Sequence, residues 1–274
     1  MSAAGAQALS LLAMAVPAET TLYSISSSHP AYAAHLMLAH KRLDHRVIDL
    51  VPGLHAPVLR ALGFRQGTVP ALLLGGRRVQ GSLQISRALE DARLEPRLFP
   101  EEPGARLRVE EAERWAEATL QPLPRRLFRW LMTRRREARV LMMRQAGVPA
   151  PGLAGTFSLP VARAYARAAD ATDGAEIAAM VRSLPGLLAH VDALLDGGTI
   201  GGAEPNAADF QIASTIRVLL SIEDLAPVLA DHRAAAYAGE MLPASPFAVP
   251  VGFVPPEWLR SPEGVGRMIP VGRG

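Results

Sequence analysis

Apolar and polar positions follow two regimes along the chain. Up to about residue 94 the period changes every few residues. Residues 20–26, Thr-Thr-Leu-Tyr-Ser-Ile-Ser, alternate as a strand does. Ser27-Ser28-His29-Pro30 reads as a turn, and Pro30 suits the first turn of a helix. That helix runs to about Leu43, with Ala33, Leu36, Met37 and His40 near one face. Arg46–Leu50 reads as a second strand, Pro52-Gly53 as a turn, and Ala56–Leu62 as a short helix. Thr68-Val69-Pro70 opens the apolar run Ala71–Leu74, which has the length of a buried strand. Pro70 cannot donate a ladder hydrogen bond, so it belongs at the strand's start, and its peptide bond is a candidate for the cis form. Gly75-Gly76 signals a hairpin, because both residues accept positive φ. Arg77–Val79 is a fourth strand, and Ser82 reads as the cap of a helix carrying Leu83, Ile85 and Leu89. The order βαβ-α-ββα predicts a mixed four-stranded sheet with flanking helices, its first crossover right-handed and parallel.

Beyond residue 94 the pattern changes. Pro96, Pro100 and Pro103 among charges predict a linker over 95–104. Past it every periodic segment is helical: 106–119, a long helix over 125–145, then 161–170, 175–196, 206–221 and 224–239. Residues 146–160 read as a Gly/Pro loop. The expected division is a flexible tail over 1–19, a first domain over 20–94, the linker, an all-helical domain over 105–240, and an extended Pro-rich tail over 241–274.

Composition narrows the chemistry. The chain has 274 residues, 49% of them hydrophobic, enough for one or two real cores. It has no cysteine, which excludes disulfides, thiolate metal sites and a protein-borne catalytic thiol. The net charge is +3, and Lys41 is the one lysine among 29 basic residues. Acidic residues nearly balance the arginines, which argues against a nucleic-acid partner. No apolar run reaches the length of a membrane span, so a cytoplasmic location is expected. No metal site is expected.

Three local patterns, in this order and spacing, resemble the glutathione S-transferase superfamily over roughly Thr20 to Gly239. They are Thr68-Val69-Pro70 before an apolar strand, Ser82 opening the third helix, and Pro205-Asn206-Ala207-Ala208-Asp209-Phe210. The resemblance implies an α/β N-terminal thioredoxin-like domain (βαβ-α-ββα, mixed four-stranded sheet) followed by an all-α helical-bundle domain. It implies a transferase that binds a thiol, glutathione or another low-molecular-weight thiol, and acts on a small-molecule electrophile, for example in detoxification. It also implies a homodimer. Its activating residue falls at Ser28, with Ser26 and Ser27 as neighbours to which the role could move. His29 either aids a proton or a carboxylate or is a solvated loop residue. Val69 and Pro70 would pair with the cysteinyl unit, and Ser82 would receive the γ-glutamyl carboxylate. Gly81 stands where the family carries an acid, and Gln80 is its partial substitute. Gly63-Phe64-Arg65-Gln66 stands where the family has Asn-Pro. Asn206 and Asp209 form a capping box, with Asp209 reaching back to the cap backbone.

A free thiol with a pKa of about 8.5 is mostly protonated at neutral pH. Lowering it by about two units takes roughly 2.7 kcal/mol. One charge-assisted hydrogen bond of about 1.5–3 kcal/mol, plus the end of a helix, is of that size. Ser28 would be the donor and would not ionise. Ser28 and Ser82 as plain helix caps remain the alternative roles. A non-catalytic ligand-binding or protein-interaction module of the same fold is the alternative to the enzyme, and Gly81 favours it. Arg134-Arg135-Arg136 reads either as a solvated face or as an anion-binding rim. Trp115, Phe128 and Trp130 read as core or pocket wall. Tyr165, Arg108 and Arg114 are further candidates for a pocket lining.

Overall fold

The computed structural model describes residues 20–245 and 248–259. The tail over 1–19 and the end of the C-terminal tail lie outside them. The elements in the first half are β1 (Thr20–Ser24), α1 (His29–His40), β2 (His45–Asp49), α2 (His55–Ala61), β3 (Ala71–Leu74), β4 (Arg77–Gln80) and α3 (Ser82–Ala92). The sheet order is β2-β1-β3-β4, with β1 parallel to β2 and antiparallel to β3, and β3 antiparallel to β4. This is an N-terminal thioredoxin-like domain followed by a helical region.

Register explains the layers. Leu22 pairs with Leu72, and Tyr23 pairs with Ala71. Side chains alternate across a strand, so the two pairs serve opposite faces. Tyr23 and Ala71 join Leu59 of α2 and Phe64 in one buried cluster. Tyr23 and Phe64 meet edge to face, with centroids 5.6 Å apart. Phe64 is therefore a core anchor within the segment Gly63-Phe64-Arg65-Gln66. On the other side α1 and α3 pack together. Between them Lys41 is fully buried, paired with Glu90 and donating to the carbonyls of Arg93 (2.7 Å) and Leu94 (3.1 Å).

The remaining helices are α4 (Pro103–Trp115), α5 (Pro122–Arg134), α6 (Arg136–Gln145), α7 (Pro151–Phe157), α8 (Leu159–Arg167), α9 (Gly174–Arg182), α10 (Leu184–Asp196), α11 (Ala207–Leu220), α12 (Ala226–Leu229) and α13 (Arg233–Met241). A π-helical turn, Ala116–Leu120, follows α4. The chain divides into two compact units. The first holds the described residues up to Ala116 together with Thr199–Ser214, and the second holds Glu117–Gly198 with the rest.

Several expectations are corrected. The helix over 125–145 is two helices, broken at Arg135, whose backbone is extended (φ −122°, ψ 122°). Arg139 donates to the carbonyls of Met132 (2.7 Å), Arg135 (3.3 Å) and Gly155 (2.8 Å). A side chain from the first turn of α6 satisfies the freed carbonyls, and the apolar period runs on through the break. The Gly/Pro loop over 146–160 contains α7 and the start of α8, because Pro151 and Pro160 sit in the first turns of helices. Gly155 lets α7 approach α6 closely, since a Cβ there would lie 2.7 Å from a Val140 methyl. The helix over 175–196 is interrupted at Ser183. Taken together, Gly174–Asp196 is 23 residues and contains an 18-residue window with a mean hydropathy of 1.3, long and apolar enough to cross a membrane by length and composition alone.

Candidate functional site

Three segments of the first unit converge on one end of the sheet. Tyr23 of β1 lies opposite Ala71 of β3, and Ala71 lies opposite Gln80 of β4. The segment leaving β1, the segment entering β3 and the segment leaving β4 therefore share an edge. These carry Ser28, Val69-Pro70 and Gly81-Ser82 respectively.

Ser28 is the N-cap of α1, in extended conformation, and its Oγ accepts from the Ala31 amide at 3.3 Å. A hydroxyl keeps one donor when its oxygen accepts. The Ser28 O–H thus remains a donor beside a helix N-terminus, where partial positive charge favours an anion. His29, expected on a loop, is instead the buried first residue of α1. Its helical position, with Pro30 behind it, draws it inward. Ser26 and Ser27 form the turn before the cap.

The Val69–Pro70 peptide bond is cis, and β3 begins directly after it. Gln80 holds the loop that leads to it. The Gln80 amide accepts from the Gln66 N–H (2.8 Å) and donates to the carbonyls of Gln66 (2.8 Å) and Thr68 (3.3 Å). The amide pins residues 66–68 and so fixes the approach to Val69.

Ser82 is the first residue of α3, not its cap; Gly81 takes the cap position, at φ 88° and ψ 144°. Few L-residues adopt that φ, and a Cβ at 81 would lie 2.4 Å from Gln84 Oε1. An acid at 81, expected by resemblance, would be strained by that φ and would have to displace the Gln84 amide.

Ser82 is only 2% exposed, and its Oγ donates to Gln211 Oε1 at 3.0 Å. Gln211 Nε2 donates to Glu113 Oε1 at 2.6 Å, and Arg87 pairs with Glu113 Oε2. Glu113 is fully buried, and burial pushes its carboxyl up to about 7 against the pull of Arg87, Ser86 and Gln211. Glu113 and Gln211 escaped the sequence reading. They lie 98 positions apart, and the only available signal was an acid and an amide on otherwise apolar helix faces.

Asn206 and Asp209 cap α11 reciprocally. Asn206 Oδ1 accepts from the amides of Ala208 (2.9 Å) and Asp209 (3.2 Å), and Asp209 Oδ2 accepts from the Asn206 amide (2.8 Å). Asp209 Oδ1 also accepts from Gly201 N at 2.7 Å.

The three consecutive arginines do not act as a set. Arg134 lies over Trp130, Arg135 over Phe253, and Arg136 donates to Thr156 Oγ1 at 2.8 Å. Trp130 also packs on Trp258 of the C-terminal segment, ring centroids 4.6 Å apart. Arg129 lies 5.7 Å from the Tyr165 ring centroid. Among the described residues no cluster of His, Asp or Glu fits a metal ion.

Residues 22–97 match the family described as glutathione S-transferase, N-terminal domain. No curated protein matches the sequence. Solved structures share the fold. A glutathione S-transferase from Rhodospirillum rubrum F11 is 19% identical, covers 85% of this chain and 97% of its own, and superposes with a TM-score of 0.55. A glutathione S-transferase from Methylobacterium radiotolerans, in complex with glutathione sulfonate, is 20% identical over 85% of this chain and 96% of its own, with a TM-score of 0.52. The theta class glutathione S-transferase from Xanthomonas axonopodis pv. citri, with glutathione bound, is 23% identical over 75% of this chain and 84% of its own, with a TM-score of 0.53.

Proposed function

We propose that this chain, whose residues 22–97 match the glutathione S-transferase N-terminal domain family, is a glutathione-transferase-like enzyme that binds glutathione and activates its thiol for attack on a small electrophile, in conjugation or isomerisation. The observation that carries this reading is the convergence of Ser28, Val69-Pro70 and the α3 N-terminus on one end of the sheet. Val69 backbone groups would pair with the cysteinyl unit as an added strand. The first amides of α3 would receive the γ-glutamyl carboxylate. Ser28 would then donate to the sulfur. Its hydroxyl is already oriented by the Ala31 amide, so little entropy is lost in making that bond. In conjugation by substitution the thiolate forms a bond to carbon, the leaving group departs as its anion and the thiol proton passes to solvent; in addition to a double bond the new carbanion takes that proton. The proposed setting is cytoplasmic and the proposed assembly a homodimer; a monomer mass by sedimentation would remove the latter.

Ser28→Ala tests the chemistry. With glutathione and a chloronitrobenzene, we expect kcat/KM to fall about 100-fold, the size of a two-unit rise in thiol pKa. Retention on glutathione resin should persist. Wild-type turnover unaffected by the substitution would sink the role of Ser28. Retention without turnover in the wild-type protein would favour the binding module, to which the missing acid at Gly81 points.

A further inference from the structure

We propose that Glu113 is a positioning residue: through Gln211 it sets whether the Ser82 hydroxyl donates or accepts, and so makes carboxylate binding at the α3 N-terminus depend on pH. The inference rests on the glutathione reading of that site.

The relay consists of two consecutive hydrogen bonds within the first unit, Ser82 Oγ to Gln211 Oε1 (3.0 Å) and Gln211 Nε2 to Glu113 Oε1 (2.6 Å). An ionised carboxylate only accepts, so it fixes the amide with its nitrogen towards Glu113. The amide oxygen then faces Ser82 and takes its proton. In this state the hydroxyl offers lone pairs alone, which suits an incoming carboxylate poorly.

Add one proton to Glu113 Oε1 and the order reverses. The carboxyl now donates, the amide turns over to accept it, and the amide nitrogen donates to Ser82 Oγ. The Ser82 O–H is released and can donate to a ligand carboxylate. Arg87 engages Oε2 and so keeps its pairing in both states. The groups facing Glu113 are Arg87 and Ser86 from α3 and Gln211 from α11, with Arg87 the charged one. Arg87 in turn lies over the Phe99 ring, as does Arg106 of α4. The proton balance therefore centres on Glu113. Its carboxyl sits near 7, where an ordinary solution pH populates both states.

This bears on the glycine at 81. Glycine at that position supplies no acid to hold the ligand's ammonium group. Affinity then rests more heavily on the carboxylate, and the relay adjusts that interaction.

The test is isothermal titration of the full chain with S-methylglutathione, which has no ionisable thiol, from pH 5.5 to 8.5. We expect Kd to rise about tenfold, the worth of one charge-assisted hydrogen bond, with an inflection near 7. Glu113→Gln and Gln211→Leu should both flatten the profile. The second variant cuts the relay while leaving Glu113 paired with Arg87, so it serves if the first does not fold. Binding with the same Kd throughout, or an inflection that survives in a folded variant, overturns the inference and leaves the glutathione reading intact. No binding at any pH overturns both.

Discussion

Lys41 shows how a single residue can be chosen by geometry. The protein is otherwise lysine-free and uses arginine for positive charge. At the end of α1 three acceptors converge: Glu90 Oε2 and the carbonyls of Arg93 and Leu94. An ammonium has three donors on one compact centre, whereas a guanidinium spreads five over a plane. The site fits the first and not the second. Glu90 also accepts from the Leu98 amide at 2.9 Å, so the same carboxylate fixes the chain after α3. Lys41→Met should leave a buried carboxylate unpaired and cost about 3–5 kcal/mol. Urea denaturation would check it, and a loss under about 1 kcal/mol would show that the pair contributes little net stability.

At the scale of elements, helix ends decide more than helix faces. Asp209 gives both carboxylate oxygens to backbone amides, those of Gly201 and Asn206, while almost fully buried. Asp209→Ala removes both acceptors, and we expect a loss of about 1–2 kcal/mol or more in thermal or chemical denaturation. A variant as stable as wild type would reduce the box to decoration. The box was legible in the sequence because Asn and Asp stand three apart just before an apolar run. So was the succession of strands and helices in the sheet domain, since short runs such as Thr20–Ser24 and Ala71–Leu74 stand between clear turn residues. The break at Arg135 was not legible, because the apolar period continues across it and one arginine, Arg139 of α6, supplies donors to the carbonyls it frees. Nor was the cap of α3. Ser82 has the right chemistry for a cap, but Gly81 takes the required φ and leaves the serine inside the helix. The relay from Ser82 to Glu113 joins three helices, and no local pattern reports such contacts.

Across the molecule, one buried acid shapes the response to pH. Burial raises the Glu113 carboxyl from the ordinary carboxylate range to about 7 in the folded state. Between about 4.5 and 7 the folded chain keeps this proton and the unfolded chain loses it. Stability from this group is thus complete below about 4.5, falls as pH rises to 7, and is flat above. The total swing is on the order of 3 kcal/mol. Urea midpoints at pH 5 and pH 8 should differ more in wild type than in Glu113→Gln. Equal differences in the two proteins would mean that Glu113 titrates in its ordinary range.

Lys41 has one more consequence, for covalent labelling. Every side-chain amine in this protein is the one held between α1 and α3. Acylating reagents that modify lysines on most protein surfaces meet none here. Modification at Lys41 requires the α1–α3 clasp to part, so its acylation, set against the rate for a free amine, reads out the population of the opened domain that carries the site.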